Sequence, residues 1–162
     1  MHRKLAYRYW HGPIIREILT QVWEGHAARL FISFGPLQPA DYTLPNGRPG
    51  APRGRFELTN MESFSDWALS QHGRMVIHSD SPRRTREKAL QILVGKRLLS
   101  LRIDQICRST LLTFSRGLVL ATTTMRECLD REPHWLLRLP DTDERWPHVI
   151  LKGTIWHDRD RF

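Results

Sequence analysis

Apolar and polar residues alternate with period two in several short stretches of this chain. Leu98, Ser100 and Arg102 alternate with Leu99, Leu101 and Ile103, and Phe56 and Leu58 flank Glu57. Period two sends successive side chains to opposite faces of a pleat, so these stretches predict half-buried strands. Two apolar runs, Leu111–Phe114 and Leu118–Leu120, are separated only by Ser115, Arg116 and Gly117. A glycine able to take positive φ between two strands predicts a hairpin. From Ser79 to Gly95 the period becomes helical: Ala89, Leu90, Leu93 and Val94 share one face, with Ser81 as N-cap, Pro82 at the first helical position and Gly95 as the stop. Residues 14–23 fit both periods, because Ile14, Ile15, Ile18, Leu19 and Val22 also make a helical face; comparison with Leu98–Ile103 favours strand.

The order of these segments occurs twice. Gly12, Ile15, Ile18, the run Leu30–Gly35, Arg55–Leu58, Trp67-Ala68-Leu69 and Met75–Ile77 stand in the same order as Gly95, Leu98, Leu101, Leu111–Phe114, Leu118–Leu120, Trp135-Leu136-Leu137 and Val149–Leu151. Read as an internal duplication, this predicts one domain over residues 1–162, with a first repeat at 12–79, a connecting helix at 80–95 and a second repeat at 95–156. The expected class is α+β, mainly β: two imperfect repeats of antiparallel strands around a shared core, with one short connecting helix. A chain of 162 residues is long enough to bury such a core without disulfides.

Pro36–Gly54, rich in proline and glycine, interrupts the first copy where the second has a tight turn. It predicts an exposed loop, either a contact surface carrying Asp41, Tyr42, Arg48 and Arg53 or a drifted insertion. The formal net charge is +8, concentrated as +3 in residues 1–35 and +5 in residues 80–110. Arg83, Arg84 and Arg86 crowd the first turn of the expected helix, where the helix dipole disfavours cations. Salt bridges, a solvated face or contact with a partner would each account for them. Of six tryptophans, Trp67 and Trp135 are expected in equivalent core positions. Trp10, Trp23, Trp146 and Trp156 are less constrained; any of them exposed beside an arginine would anchor a protein interface, and Trp146 joins the loop and arginine residues as a candidate partner contact.

Other chemistry finds little footing. Two cysteines, Cys107 and Cys128, make neither a zinc site nor a disulfide framework, and no apolar run reaches the length of a membrane span. The chain therefore reads as cytoplasmic. Eight histidines include no His-x-x-x-His pair with an intervening glutamate. Neither a nucleophile elbow nor a phosphate-binding glycine loop is present, so the expectation is a non-enzymatic protein with no cofactor and no metal.

Leu93–Leu98, Leu111–Leu120 and Trp135–Asp141 together resemble a family of small, uncharacterised β-rich bacterial proteins. Members of that kind look like the immunity proteins of polymorphic toxin systems. The resemblance implies a cytoplasmic protein that binds and neutralises a cognate toxin or effector, and the basic charge points to a partner with an acidic face. It carries over no catalytic residues, and the chain departs from the pattern at Thr122–Cys128. Two other readings stand beside it: a nucleic-acid-associated regulator using Arg83, Arg84, Arg86 and Lys88, and an enzyme with a site between the repeats.

Overall fold

The computed structural model describes residues 7–10, 14–25, 28–40, 42–60, 66–104, 109–123, 135–138, 148–152 and 155–158. The strands are β1 (Tyr7–Trp10), β2 (Leu19–Glu24), β3 (Leu30–Gln38), β4 (Arg53–Asn60), β5 (Asp66–Gln71) and β6 (Arg74–His78), then β7 (Leu98–Asp104), β8 (Thr110–Phe114), β9 (Leu118–Thr123), β10 (Trp135–Arg138), β11 (His148–Lys152) and β12 (Ile155–Asp158). A single α-helix among the described residues, α1 (Arg83–Leu90), joins β6 to β7. All strand pairs are antiparallel, in two sheets ordered β1-β7-β8-β9-β5-β6 and β12-β11-β10-β4-β3-β2. The architecture is mainly β, as the period-two stretches predict.

Each sheet draws on both ends of the chain. The three-strand meander β2-β3-β4 is completed by the hairpin β10-β11, and the meander β7-β8-β9 by the hairpin β5-β6. Register corresponds between the two. Leu19 pairs with Phe34 and Leu98 with Phe114, and a bulge follows each pair, between Leu19 and Gln21 and between Leu98 and Ser100. Leu58 pairs with Leu137 as Leu120 pairs with Leu69. Where the meanders begin they bond to each other: Leu19 N–H donates to Lys96 C=O (2.8 Å) and Leu98 N–H to Glu17 C=O (2.9 Å), on either side of an Ile18–Arg97 bridge.

This register corrects the match read from sequence. Leu19 and Val22, not Ile15 and Ile18, hold the places of Leu98 and Leu101, and the place of Gly95 (φ 80°) is held by Arg16 (φ 77°). Gly12 lies outside the described residues. Residues 14–16 form a turn, and the bulge after Leu19 breaks strict alternation, so apolar spacing there imitates a helix.

Inward faces of both sheets contribute to one buried cluster. Leu19, Leu30, Ile32, Phe34 and Leu58 come from one sheet, Leu69, Leu98, Leu112, Phe114 and Leu120 from the other. Trp135 sits in the sheet of β4 and its indole N–H donates to Thr110 Oγ1 in the sheet of β9, at 3.1 Å. Trp67, the matching tryptophan, is also buried, but Leu30 stands in the place of Thr110 and the Trp67 indole N–H has no hydrogen-bond acceptor among the described residues. A shared hydrophobic position is thus preserved while its polar partner is not.

Two hairpin tips meet. Residues 115–117 form the predicted turn, with positive φ at Arg116 and Gly117. His72 and Gly73 turn β5 into β6, both at positive φ, the requirement of a type I′ turn. The His72 ring lies where a Cβ on Gly117 would be 2.4 Å away, so glycine permits that contact.

The connecting helix is shorter and capped differently from the expectation. Pro82, not Ser81, is the N-cap, and a 3-10 turn over Gln91–Leu93 continues α1. Leu90 and Leu93 are fully buried, whereas Val94 is exposed. The helix and the following turn lie against the outer edge of β2, where Gln91 Nε2 donates to Val22 C=O (3.1 Å). The corresponding edge of β7 is covered by β1. Each meander edge is therefore covered, one by a helix and one by a strand, which removes a template for strand addition.

Candidate functional site

The segment between β3 and β4, expected as an exposed loop over Pro36–Gly54, is exposed along most of its described length but is ordered by its own hairpin. Strand β3 continues to Gln38 through a bulge, and Leu37 and Gln38 pair with Gly54 and Arg53. Gly54 is required there, because a Cβ would come within 2.7 Å of Phe34 C=O. Residues 42–50 then form a small hairpin: Leu44 N–H donates to Arg48 C=O (2.8 Å), Gly47 N–H to Leu44 C=O (2.9 Å) and Gly50 N–H to Tyr42 C=O (2.9 Å). Asn46 Oδ1 accepts from Arg48 N–H (3.1 Å), the local bonding that makes asparagine a turn former. Tyr42 packs its ring across Gly50, where any Cβ would sit 2.3 Å from the ring.

This hairpin supplies one wall of a cleft of about 530 Å³. Tyr42, Ala51, Pro52 and Arg53 form that wall, Thr20–Trp23 of β2 the floor, and Gln91 and Val94 the far side. Trp23 projects from the outer face of the sheet, stacked on Phe31 with ring centroids 5.1 Å apart and planes at 3°, and keeps 39% of its surface exposed. Gly25 admits this stack, since a Cβ there would lie 2.6 Å from the Phe31 ring. The Arg53 guanidinium carbon lies 5.0 Å from the Tyr42 ring centroid, and its Nε is 4.0 Å from Glu57 Oε2. The cation is thereby oriented against an aromatic face, while part of its side chain meets solvent.

The sequence-predicted residues divide. Tyr42 and Arg53 are brought together in the cleft; Arg48 is exposed on the hairpin outside the lining. Arg83 pairs with Glu87 along the exposed face of α1 (2.8 Å), and Arg84 is exposed. Asp41 and Trp146 lie outside the described residues. Arg86 is used inside the fold: Nε donates to Glu24 Oε2 (2.8 Å), a terminal nitrogen to Glu24 Oε1 (2.5 Å), and the other to the carbonyl oxygens of Ser79 (2.8 Å) and Ser81. Its hydrogen bonds to Glu24 raise its pKa against the lowering effect of burial. Stability from a raised cation is complete below the ordinary arginine range and is lost only above it, so Arg86 holds α1 to β2 throughout neutral pH. The arginine cluster therefore does not face outward as one patch.

Gln91 and Val94 complete the cleft without having been singled out as contact residues, and Trp23 was one of four tryptophans left open as interface anchors. The available signal was a tryptophan in a period-two stretch, but the bulge after Leu19 hides which face it takes.

Among the lining residues Arg53 is the one charged group; Gln21 and Gln91 supply amides, Thr20 and Tyr42 hydroxyls, and Val22, Trp23, Ala51, Pro52 and Val94 apolar surface. Such a set can bury an apolar side chain between aromatic and amide groups. A second cavity, of about 410 Å³, lies beside β6 around Asp66, Met75, His78, Ser79 and Asp80. Among the described residues no three His, Cys, Asp or Glu side chains gather to hold a metal, and no helix is long and apolar enough to cross a membrane. Comparison with protein-family models, curated proteins and solved structures finds no match.

Proposed function

We propose that this chain is a binding protein that recognises a partner protein through the cleft beside β2. The carrying observation is the half-exposed Trp23 facing Tyr42 and Arg53 across a preformed cavity. Tryptophan, tyrosine and arginine dominate the energetics of protein interfaces, because each buries much surface with little conformational freedom to lose or makes directional charged bonds. Trp23 is already fixed by its stack on Phe31, which lowers the ordering cost of binding. The narrower reading is an immunity protein that occludes a cognate toxin in the bacterial cytoplasm; it follows from the sequence pattern of Leu93–Asp141 described above.

Photo-crosslinking tests both levels. A benzophenone amino acid at Gln21, in the cleft, should capture one protein in the host cell that the same residue at Leu99, exposed on the other half, does not. Equal capture from both positions, or none from Gln21, would refute recognition through the cleft. If the immunity reading is right, expression of the captured protein alone arrests growth and co-expression of this chain restores it; a partner without such activity leaves only the broader reading.

A further inference from the structure

We infer that one end of the sheet of β9 binds the phosphate backbone of double-stranded nucleic acid. The contact residues are Arg16, Arg97, Arg116 and Arg74, none of which lines the cleft, so this site goes beyond the reading above.

The fold brings these four together from places far apart in sequence. Arg16 N–H donates to Leu98 C=O (2.7 Å), and Arg97 Nη1 donates to Arg16 C=O (2.6 Å). Arg97 is tied in turn to the hairpin tip that holds Arg116: Ser115 N–H donates to Arg97 C=O (2.9 Å) and Arg97 N–H to Ser115 Oγ (3.1 Å). Gln71 Nε2 donates to Arg116 C=O (3.3 Å), and Gln71 pairs with Arg74 across the neighbouring hairpin. The result is a row of cations along the end of the strands β7-β8-β9-β5-β6. At roughly 4.8 Å between adjacent strands, the row is about 20 Å long.

Its charge is uncompensated. All four arginines are exposed. The guanidinium groups of Arg16, Arg74 and Arg116 have no hydrogen bond or ion pair among the described residues, and that of Arg97 meets a carbonyl oxygen, which leaves its charge unpaired. Glu17, the acid next to Arg16, has its Oε2 3.4 Å from the place a Cβ on Gly35 would take, on the β3–β4 side with Arg55.

Two of the four stand where backbone geometry favours another residue. Arg16 (φ 77°) and Arg116 (φ 63°) hold left-handed backbone, which glycine or asparagine adopts more readily, and the place of Arg16 in the other meander belongs to Gly95. Cations occupy both positions despite that strain, a departure of the kind that accompanies functional surfaces.

The row offers charge without a stacking platform. Among the described residues the exposed tryptophan and tyrosine rings, Trp23 and Tyr42, both line the cleft, and the His72 ring lies against Gly117. Single strands are held by stacking as well as charge, and protein interfaces by aromatic anchors, whereas a duplex backbone needs only cations along its phosphates. A row of about 20 Å faces roughly six phosphates of one duplex strand, at about 3.4 Å each.

The test is fluorescence anisotropy of a short labelled DNA duplex with the full chain, over a series of KCl concentrations. Neutralising four phosphates predicts a slope of log affinity against log salt of about −3.6, alike for two duplexes of unrelated sequence. The triple variant Arg74→Gln, Arg97→Gln, Arg116→Asn should flatten that slope to about −1. Arg48→Gln with Arg83→Gln and Arg84→Gln removes the same charge from exposed positions elsewhere and should leave the slope unchanged. Arg74→Gln alone, at an exposed strand end, should reduce the slope by about one, and lysine at positions 74, 97 and 116 should preserve it. Equal losses in the two neutral triples would trace binding to net charge, and a lysine triple as weak as the neutral one would trace it to the fold. Tighter binding of a single strand, or of polyglutamate, than of the duplex would mean another partner. Any of these results, or no binding of the duplex at low salt, would overturn the inference.

Discussion

The two meanders share register and bulges, yet they are finished differently at their open ends and edges. Phe114 and Leu118 are joined by residues 115–117 alone, whereas Phe34 and Phe56, paired in the same places, are joined by residues 35–55. β1 covers the edge of β7, but α1 and its 3-10 turn cover that of β2. The cleft lies where those two differences meet: its wall is the longer connection and its far side the turn after α1. What the halves hold in common is core and hydrogen bonding; where they diverge, side chains are left to face outward.

The largest expected effect comes from the helix that replaces a strand. Arg86→Met should destabilise the fold by about 3–5 kcal/mol, because it leaves the nearly sealed Glu24 carboxylate without its cation. Ile103 occupies the place of Glu24 in the other meander. The double change Arg86→Met with Glu24→Ile should therefore recover most of that loss in denaturant unfolding; if it does not, the two edges are not interchangeable in the way the register implies.

Next in size is the tryptophan pair. Thr110→Val should put Trp135 in the condition of Trp67, a buried indole N–H without an acceptor, at a cost of about 1–3 kcal/mol. The measurement is again the denaturant midpoint, and no change would mean that the cross-sheet bond contributes nothing.

A smaller effect on stability, about 1 kcal/mol or less, is expected on replacing residues 39–52 by Asn-Gly, since Gln38 and Arg53 are already paired for a two-residue turn. Gly50→Ala should change stability least of all while displacing the Tyr42 ring, and should weaken partner capture without abolishing it.

Much of the strand content was legible because alternation and turn chemistry are local. The hairpin at Phe114–Leu118 and the buried face of α1 follow from residues a few positions apart. Exchange of hairpins between the sheets does not: β4 meets β10 and β9 meets β5 only through pairings distant in sequence. At the cleft, Tyr42 and Arg53 were legible from the composition of their loop. Trp23 was legible only as one of four candidate anchors, since a single bulged residue decides its side of the sheet, and the role of Arg86 depended on Glu24, 62 residues away. Charge clustering along the chain thus overstated the outward arginine surface.

The most direct test compares partner capture by the chain whose residues 39–52 are replaced by Asn-Gly with capture by the unaltered chain, both carrying the photo-crosslinker at Gln21. Recognition through the cleft predicts a folded protein with the captured band lost. A folded protein that captures the same partner in undiminished yield would contradict it.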